Sequence, residues 1–431
     1  MATLYSKGTG GNWSTLGTFN TLANGTGTDT VPSGGSGGDD VIIQEDDVVN
    51  LNDATCVAKS VTVNARSSGA LGGRLGAVTS ASSKLVVHNS ITFTTGTTAD
   101  YSGAPAIDMS SVPEYTCGIY TNGGASTANY TTGINCGGAA SLIGAAKTEW
   151  TYTTAALVGS DDGSGALGCT VDDATGWRVG DIVVFATTQA YNATPRTDKV
   201  TIDTISGNDI TWIDGAGTGG RLKYSHDDNC LVGNFTRNII LGPVVAGDRC
   251  RNYFNCNREG TGQITNVMFH SCLAANSTSE AGSLSISTHY PLQDISGCSF
   301  YNYGGVALGV QGSTRLVTRN DNVFYTESTT NNPAAYSGQN VTIMYGGMVD
   351  MCIFRSYNGM NTQDPGWTLV RPKFSGITNR AVDGYGAAPI MEGGGIWSCN
   401  TVFYLGSGVQ VPQTSIGTRF GLGPDSAHEY S

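Results

Sequence analysis

The chain has 431 residues, 61 of them glycine, a share about twice the ~7% of an average protein, while Asp, Glu, Lys and Arg reach only 13% against a usual ~25%. A hydrophobic content of 39% with 9% aromatics excludes a disordered chain, and glycine without a G-X-Y period excludes collagen. A net charge of −12 repels phosphate backbones and anionic lipid, so nucleic acid is not an expected partner. No run reaches the ~18 apolar residues of a spanning helix, so no membrane insertion is expected either.

The opening residues, Met1 to Lys7, read MATLYSK, with no charged leader or apolar stretch. The expectation is a chain made and assembled inside a cell. Short segments rich in Val, Ile and Thr follow, bounded by turn residues: Asp40 to Ile43, Ser60 to Val63, Lys84 to Val87 and Asp181 to Phe185. Helical periodicity is nearly absent, the one allowance being a short cap within Ala139 to Ala146. The predicted class is all-β.

Eleven cysteines lie scattered with no C-x-x-C pair, which removes zinc-ribbon and thioredoxin chemistry. Cys250 and Cys256 are close enough for a small clip, but reduced thiols buried as small hydrophobes are the expectation.

From about residue 264 a Phe recurs inside short polar-apolar alternations: Phe269, Phe300, Phe324, Phe354, Phe374 and Phe403. Five steps cover 134 residues, about 27 each. That irregular period predicts the turns of a right-handed parallel β-helix, with the rings stacked inward. Cys298 and Cys352, each two residues before a marker Phe, are expected to share that inward register. An antiparallel sandwich would instead show tight two-residue hairpins, of which there are few. The expected organisation is an amino-terminal β cap with first strands over 1–147, a glycine-rich β-helix-type domain over 148–263, and parallel β-helix turns with a carboxy-terminal tail over 264–431.

The middle segment carries a specific order of motifs. Gly176-Trp177-Arg178-Val179-Gly180-Asp181-Ile182-Val183-Val184 is followed by Leu222-Lys223-Tyr224-Ser225-His226, then by Val232 to Ile239 with Thr236-Arg237-Asn238. These W-x-x-G-D-I-V-V, L-x-Y-x-H and V-x-x-x-T-R-N-I elements resemble the glycine-rich, eight-glycine domain of fibrocystin-type surface proteins and cell-migration-inducing hyaluronidases. The resemblance covers about residues 148 to 245. Upstream, Gly11 to Ser14, Gly38 to Ile43 and Val48 to Leu51 resemble the amino-terminal cap of bacterial and phage β-helix proteins that carry such a domain. In the hyaluronidases the similar region helps form a glycan-acting surface, which makes His226, Asp227, Asp228 and Arg237 catalytic suspects by resemblance. On physical grounds the same residues suit turn chemistry: Gly180-Asp181 launches a strand with its carboxylate on backbone N–H groups, and Arg237 and Asn238 can tie loop carbonyls.

A glycosidase needs two convergent carboxylates, and Glu259, Asp294, Asp321, Asp350 and Asp383 lie in the repeat region with His270. Counted from the marker Phe they share no register, so a catalytic pair is not expected. The residue after each marker should face outward: His270, Tyr301, Tyr325, Arg355, Ser375 and Tyr404. Such a stripe suits a subunit interface or sugar stacking, and isolated surface tyrosines remain the plain alternative. Acidic turns at Ser160 to Gly165 and Glu45 to Asp47 lack the spacing of a calcium loop, so no metal and no cofactor is expected.

A β-helix without an export signal is expected on the exposed surface of a bacteriophage virion, released by lysis. The function expected is a non-enzymatic fibre, spike or capsid-decorating subunit. It would partner with itself as a homo-oligomer, with other virion proteins and with a cell-surface glycan. A polysaccharide hydrolase or lyase and a bacterial surface adhesin are the alternatives.

Overall fold

A computed structural model describes the chain apart from residues 1, 9, 65–71, 79, 95–105, 123–132, 137–140, 160–164, 189–195, 214–220, 246–249, 251, 257–261, 272–283, 289–292, 305, 312–317, 327–333, 340–347, 363–367, 371–372, 385–389, 393–394, 398, 406–414, 417, 422–427 and 431. The described residues contain strands and no helix, and Ser141–Ile143, inside the stretch allowed a helical cap, is a strand. No described helix is long and apolar enough to cross a membrane. The chain divides into two compact units. One comprises Met1–Ala145, Arg237–Ile295 and Tyr303–Leu316, the other Ala146–Thr236, Ser296–Asn302 and Val317–Ser431.

The first unit is a parallel coil. On one face Asp40–Ile43, Ser60–Val63, Ser90–Phe93, Gly133–Cys136, Asn252–Cys256 and Leu284–Thr288 pair in parallel, one after another. Strict alternation sets the inward columns: Val41, Val61, Ile91 and Ile134 share one, Ile43, Val63, Phe93 and Cys136 the next, and all are buried. A further face runs Cys56–Ala58, Ser83–Val87, Cys117–Thr121, Ile239–Pro243 and Val267–His270. Cys117 pairs directly with Ile239, so consecutive turns of the coil stack in register although residues 144–238 lie between them in sequence.

The amino-terminal end of this coil is closed by its own chain. Thr3–Ser6 pairs in parallel with Asp40–Ile43 and antiparallel with Phe19–Asn20. Trp13 and Phe19 meet edge to face at 5.3 Å and are buried. Gly10 is fixed at this entry, since φ is +84° and a Cβ would stand 2.1 Å from the Val48 carbonyl oxygen.

The second unit combines a barrel with further rungs. Within 146–236 six strands run in the order Trp150–Tyr152, Leu231–Asn234, Ile182–Phe185, Asp198–Ser206, Asp209–Ile213 and Gly168–Thr170, every pair antiparallel. A Thr153↔Val171 bridge joins the two ends and closes the sheet. Its core gathers Trp177, Val183, Phe185, Val200, Ile202, Trp212, Leu222 and Val232. The segment expected as one domain over 148–263 therefore holds this barrel, and 239–265 returns to the rungs of the first unit.

The other part of the second unit stacks in parallel. Phe300 faces Phe324, then Ile353, Phe374, Ile396 and Phe420 follow in register. The Phe300 and Phe324 rings stack at 4.8 Å and 3°. Within the second unit two expected markers fall outside this column. A register shift between Phe324 and Tyr325 puts Ile353 in the place expected for Phe354, and Phe403 pairs with Val382 on another face. The same shift sets Cys352 opposite Val323, which faces Ser299, so Cys352 stands one position out of register with Cys298. The chain is an all-β parallel β-helix carrying an antiparallel barrel as an insertion.

Candidate functional site

Tyr301, Tyr325 and Arg355 of the outward stripe stand in one column, and its two tyrosines are buried. Tyr301 pairs with Tyr325, which pairs with Arg355. Yet Tyr301 is 4% exposed and Tyr325 is fully buried, as is Ser375. The expectation of a solvent-facing tyrosine stripe is thus overturned for these residues, because the barrel lies against that face within the second unit. Phe235, at the end of the barrel strand Leu231–Asn234, sits 5.9 Å from both tyrosine rings. The Phe235 carbonyl accepts from Ser299 Oγ at 2.6 Å, and Ser375 Oγ donates to the Thr187 carbonyl at 3.3 Å. Lys199 reaches over the Tyr301 ring and Lys373 over Trp150. His270, in the first unit, is half-buried, and burial lowers its pKa. Arg355 and Tyr404 are placed by strand register only, Tyr404 opposite Asp383.

The residues suspected by resemblance take up structural bonds. His226 is 1% exposed, with Nδ1 2.9 Å from the Ala186 carbonyl oxygen and Nε2 3.0 Å from Asp198 Oδ2. Asp198 also accepts from the backbone N–H groups of Lys223 and Tyr224 at 3.1 and 2.9 Å. The L-x-Y-x-H element is therefore a strap. Leu222 enters the barrel core, two backbone N–H groups and the imidazole converge on one carboxylate, and Leu157 pairs with His226 through the backbone. Asp227 is exposed, and its backbone N–H donates to Thr188 Oγ1 at 3.0 Å. Arg237 is fully buried.

The G-D turn is as the sequence suggests. Gly180 has φ +89°, and buried Asp181 Oδ2 accepts from Lys147 Nζ at 2.7 Å, Asn234 Nδ2 at 2.7 Å and the Arg178 N–H at 3.0 Å. Asn238 Nδ2 donates to the Met109 carbonyl at 2.9 Å, the loop tie expected of it.

Of the acidic residues in the repeat region, Glu259 lies outside the described residues; Asp383 stands in register between Asn361 and Tyr404 rather than beside another acid. Ser160 to Ser164 also lie outside the described residues. Among the described residues no three His, Cys, Asp or Glu side chains group as metal ligands.

A concave site lies elsewhere, in the first unit near its amino-terminal end. A cleft of about 490 Å³ is lined by Lys7, Gly8, Ala23, Asn24, Gly25, Gln44, Glu45, Asp47 and Asn64. The turn at Asp46, with φ +65°, presents Glu45 and Asp47. Asp47 is 2% exposed and accepts a short hydrogen bond from Ser6 Oγ; burial raises its carboxyl pKa, Ser6 opposes that, and the Asp46 charge adds to it. Gln44 donates through Nε2 to the carbonyls of Ser6 and Ala23, and Lys7 pairs with Asp29 at 2.6 Å. Sequence reasoning noticed Glu45 to Asp47 as an acidic turn. It missed Lys7, Asn24 and Asn64, which come from separate loops and share no spacing.

No family model and no curated protein matches the sequence. Among solved structures, the tailspike gp61 of Pseudomonas phage phi297 matches at 10% identity over 85% of this chain, with a TM-score of 0.22. The Gp54 tailspike of Acinetobacter baumannii bacteriophage AP22, in complex with A. baumannii capsular saccharide, matches at 11% identity over 87%, with a TM-score of 0.18. This chain spans 64% of the length of each. The tailspike protein gp49 of Pseudomonas phage LKA1 matches at 11% identity over 88% of this chain and 75% of its own, with a TM-score of 0.17. The parallel β-helix is described by this chain's own strand pairings.

Proposed function

We propose that this chain is a non-enzymatic structural protein of a bacteriophage particle, a fibre, spike or shell-decorating subunit that presents a stiff β-helix for assembly or host-surface attachment. One observation carries the reading: in the second unit the outer aromatic column Tyr301–Tyr325 is sealed by the barrel through Phe235. The residues that looked most like a working surface serve to lock an appendage onto its rungs. His226 supports the same reading over the hydrolytic alternative, since its ring is buried and both nitrogens are engaged.

The partners in this reading are further copies of the chain, other particle proteins and a cell-surface glycan, and its location is the exposed surface of the virion. A saccharide is the first ligand class to test, being the molecule bound by the AP22 tailspike. Immunogold electron microscopy on particles from the source culture tests the reading. Label at regular positions on particles is the expected result; label confined to cell envelopes or free in the medium overturns it.

A further inference from the structure

We infer that the amino-terminal cleft binds a pyranose unit of a neutral saccharide, which would supply the attachment reading with a defined sugar subsite and rests on that reading for the source of the sugar. The argument comes from which hydrogen-bonding groups the fold has already used. Gln44 spends Nε2 on two carbonyls, which leaves its own side-chain oxygen as an acceptor. Asn24 spends its side-chain oxygen on the N–H and hydroxyl of Thr26, which leaves its NH₂ as a donor. Asn64 is bonded through its backbone, to the Ile43 carbonyl and the Gly73 N–H, so both ends of its amide are left. Asp47 engages Ser6 through Oδ2 at 2% exposure, and its second oxygen carries no hydrogen bond.

These groups line one cleft of about 490 Å³, within the ~300–1,000 Å³ range of small-molecule sites. Interleaved donors and acceptors match hydroxyl groups, each of which donates once and accepts twice. Apolar ligands are disfavoured, because the described lining residues include no aromatic or large aliphatic side chain. Phosphate and uronate groups are disfavoured by Glu45 and Asp47, and Lys7 is already held by Asp29.

The test is saturation-transfer NMR on the full chain, with methyl α-D-glucopyranoside and methyl N-acetyl-β-D-glucosaminide as probes. Transfer to at least one probe is expected. It should weaken about tenfold in Asn64→Ala, a change that removes no intramolecular hydrogen bond, and in Asp47→Asn. No transfer to either probe overturns the inference, and so does transfer of equal strength in both variants, which would put the sugar elsewhere. Because Asp47→Asn touches the Ser6 bond, Asn64→Ala decides if the former fails to fold. The outcome separates from the attachment reading: particles labelled by immunogold with a cleft silent to both probes leave the virion role standing and remove the subsite.

Discussion

Replacing Phe235 by alanine should uncouple the barrel from the rungs it covers. The side chain is fully buried and touches Tyr301 and Tyr325, two rings that stack on each other at 5.7 Å on adjacent rungs. Burying a phenylalanine that is then truncated costs about 3–5 kcal/mol, within which two aromatic contacts account for about 0.5–1.5 kcal/mol each. The upper half of that range is expected, because both tyrosines are fixed by strand register and cannot close over the space. Local opening would then be favoured by roughly three orders of magnitude, which hydrogen exchange reads directly. The assay is deuterium uptake in peptides covering 231–236, 299–301 and 323–325, with exposed Val179→Ala as the control. Uptake accelerated less than about tenfold in the rung peptides would refute the docking argument.

Three further outcomes follow from the same geometry. Asp181→Ala should lower stability by about 3–5 kcal/mol because it removes the buried carboxylate on which Lys147 Nζ, Asn234 Nδ2 and the Arg178 N–H converge, whereas Asp181→Asn should cost less; thermal denaturation ranks the two. Burial pushes the Cys117 and Cys399 thiols up to about 12 and the Cys230 thiol well above its usual value, so iodoacetamide at about pH 8.5 should leave all three unlabelled until the chain is unfolded, as mass spectrometry would show. The Thr175 hydroxyl, with Thr148 and the Thr175 N–H, holds the Asp173 carboxyl below the usual range. That stability is present above about pH 4 and is lost as pH falls through the folded value, so the thermal midpoint of Asp173→Asn should decline less on acidification than that of the parent.

Much of the coil was legible because its physics is local. Asp40 to Ile43 and Ser60 to Val63 read as strands from β-branched residues between turns, and their alternation is the alternation of burial in the structure. The Phe300–Phe324 step was legible for the same reason. Phe354 misled because one bulge moves a residue out of its column, and no spacing rule registers a bulge that composition does not mark. The fate of Tyr301 and Tyr325 was hidden for a different reason. Period-two alternation says which side of a strand a residue faces, and here it was right, but what covers that side is a tertiary fact. The barrel was missed as a barrel because its strands differ in length; among the described residues the tight turn at Gly207-Asn208 marks an antiparallel pairing. The cleft was half visible: Glu45 to Asp47 stood out as a charged turn, whereas Lys7, Asn24 and Asn64 become neighbours only when separate loops meet.

The direct pairing of Cys117 with Ile239 also bears on biosynthesis. Every strand of the barrel lies between those two residues and finds its partners among its own neighbours in that interval. A ribosome therefore delivers the whole barrel before it delivers Ile239, the first residue of the next turn of the coil. The insertion can fold as a local, quickly closing body, while the nascent coil waits with an open edge at Cys117–Thr121. Mutations that slow the barrel would thus prolong exposure of that edge to other chains, and would register first as lost yield of soluble protein rather than as a change in the finished molecule.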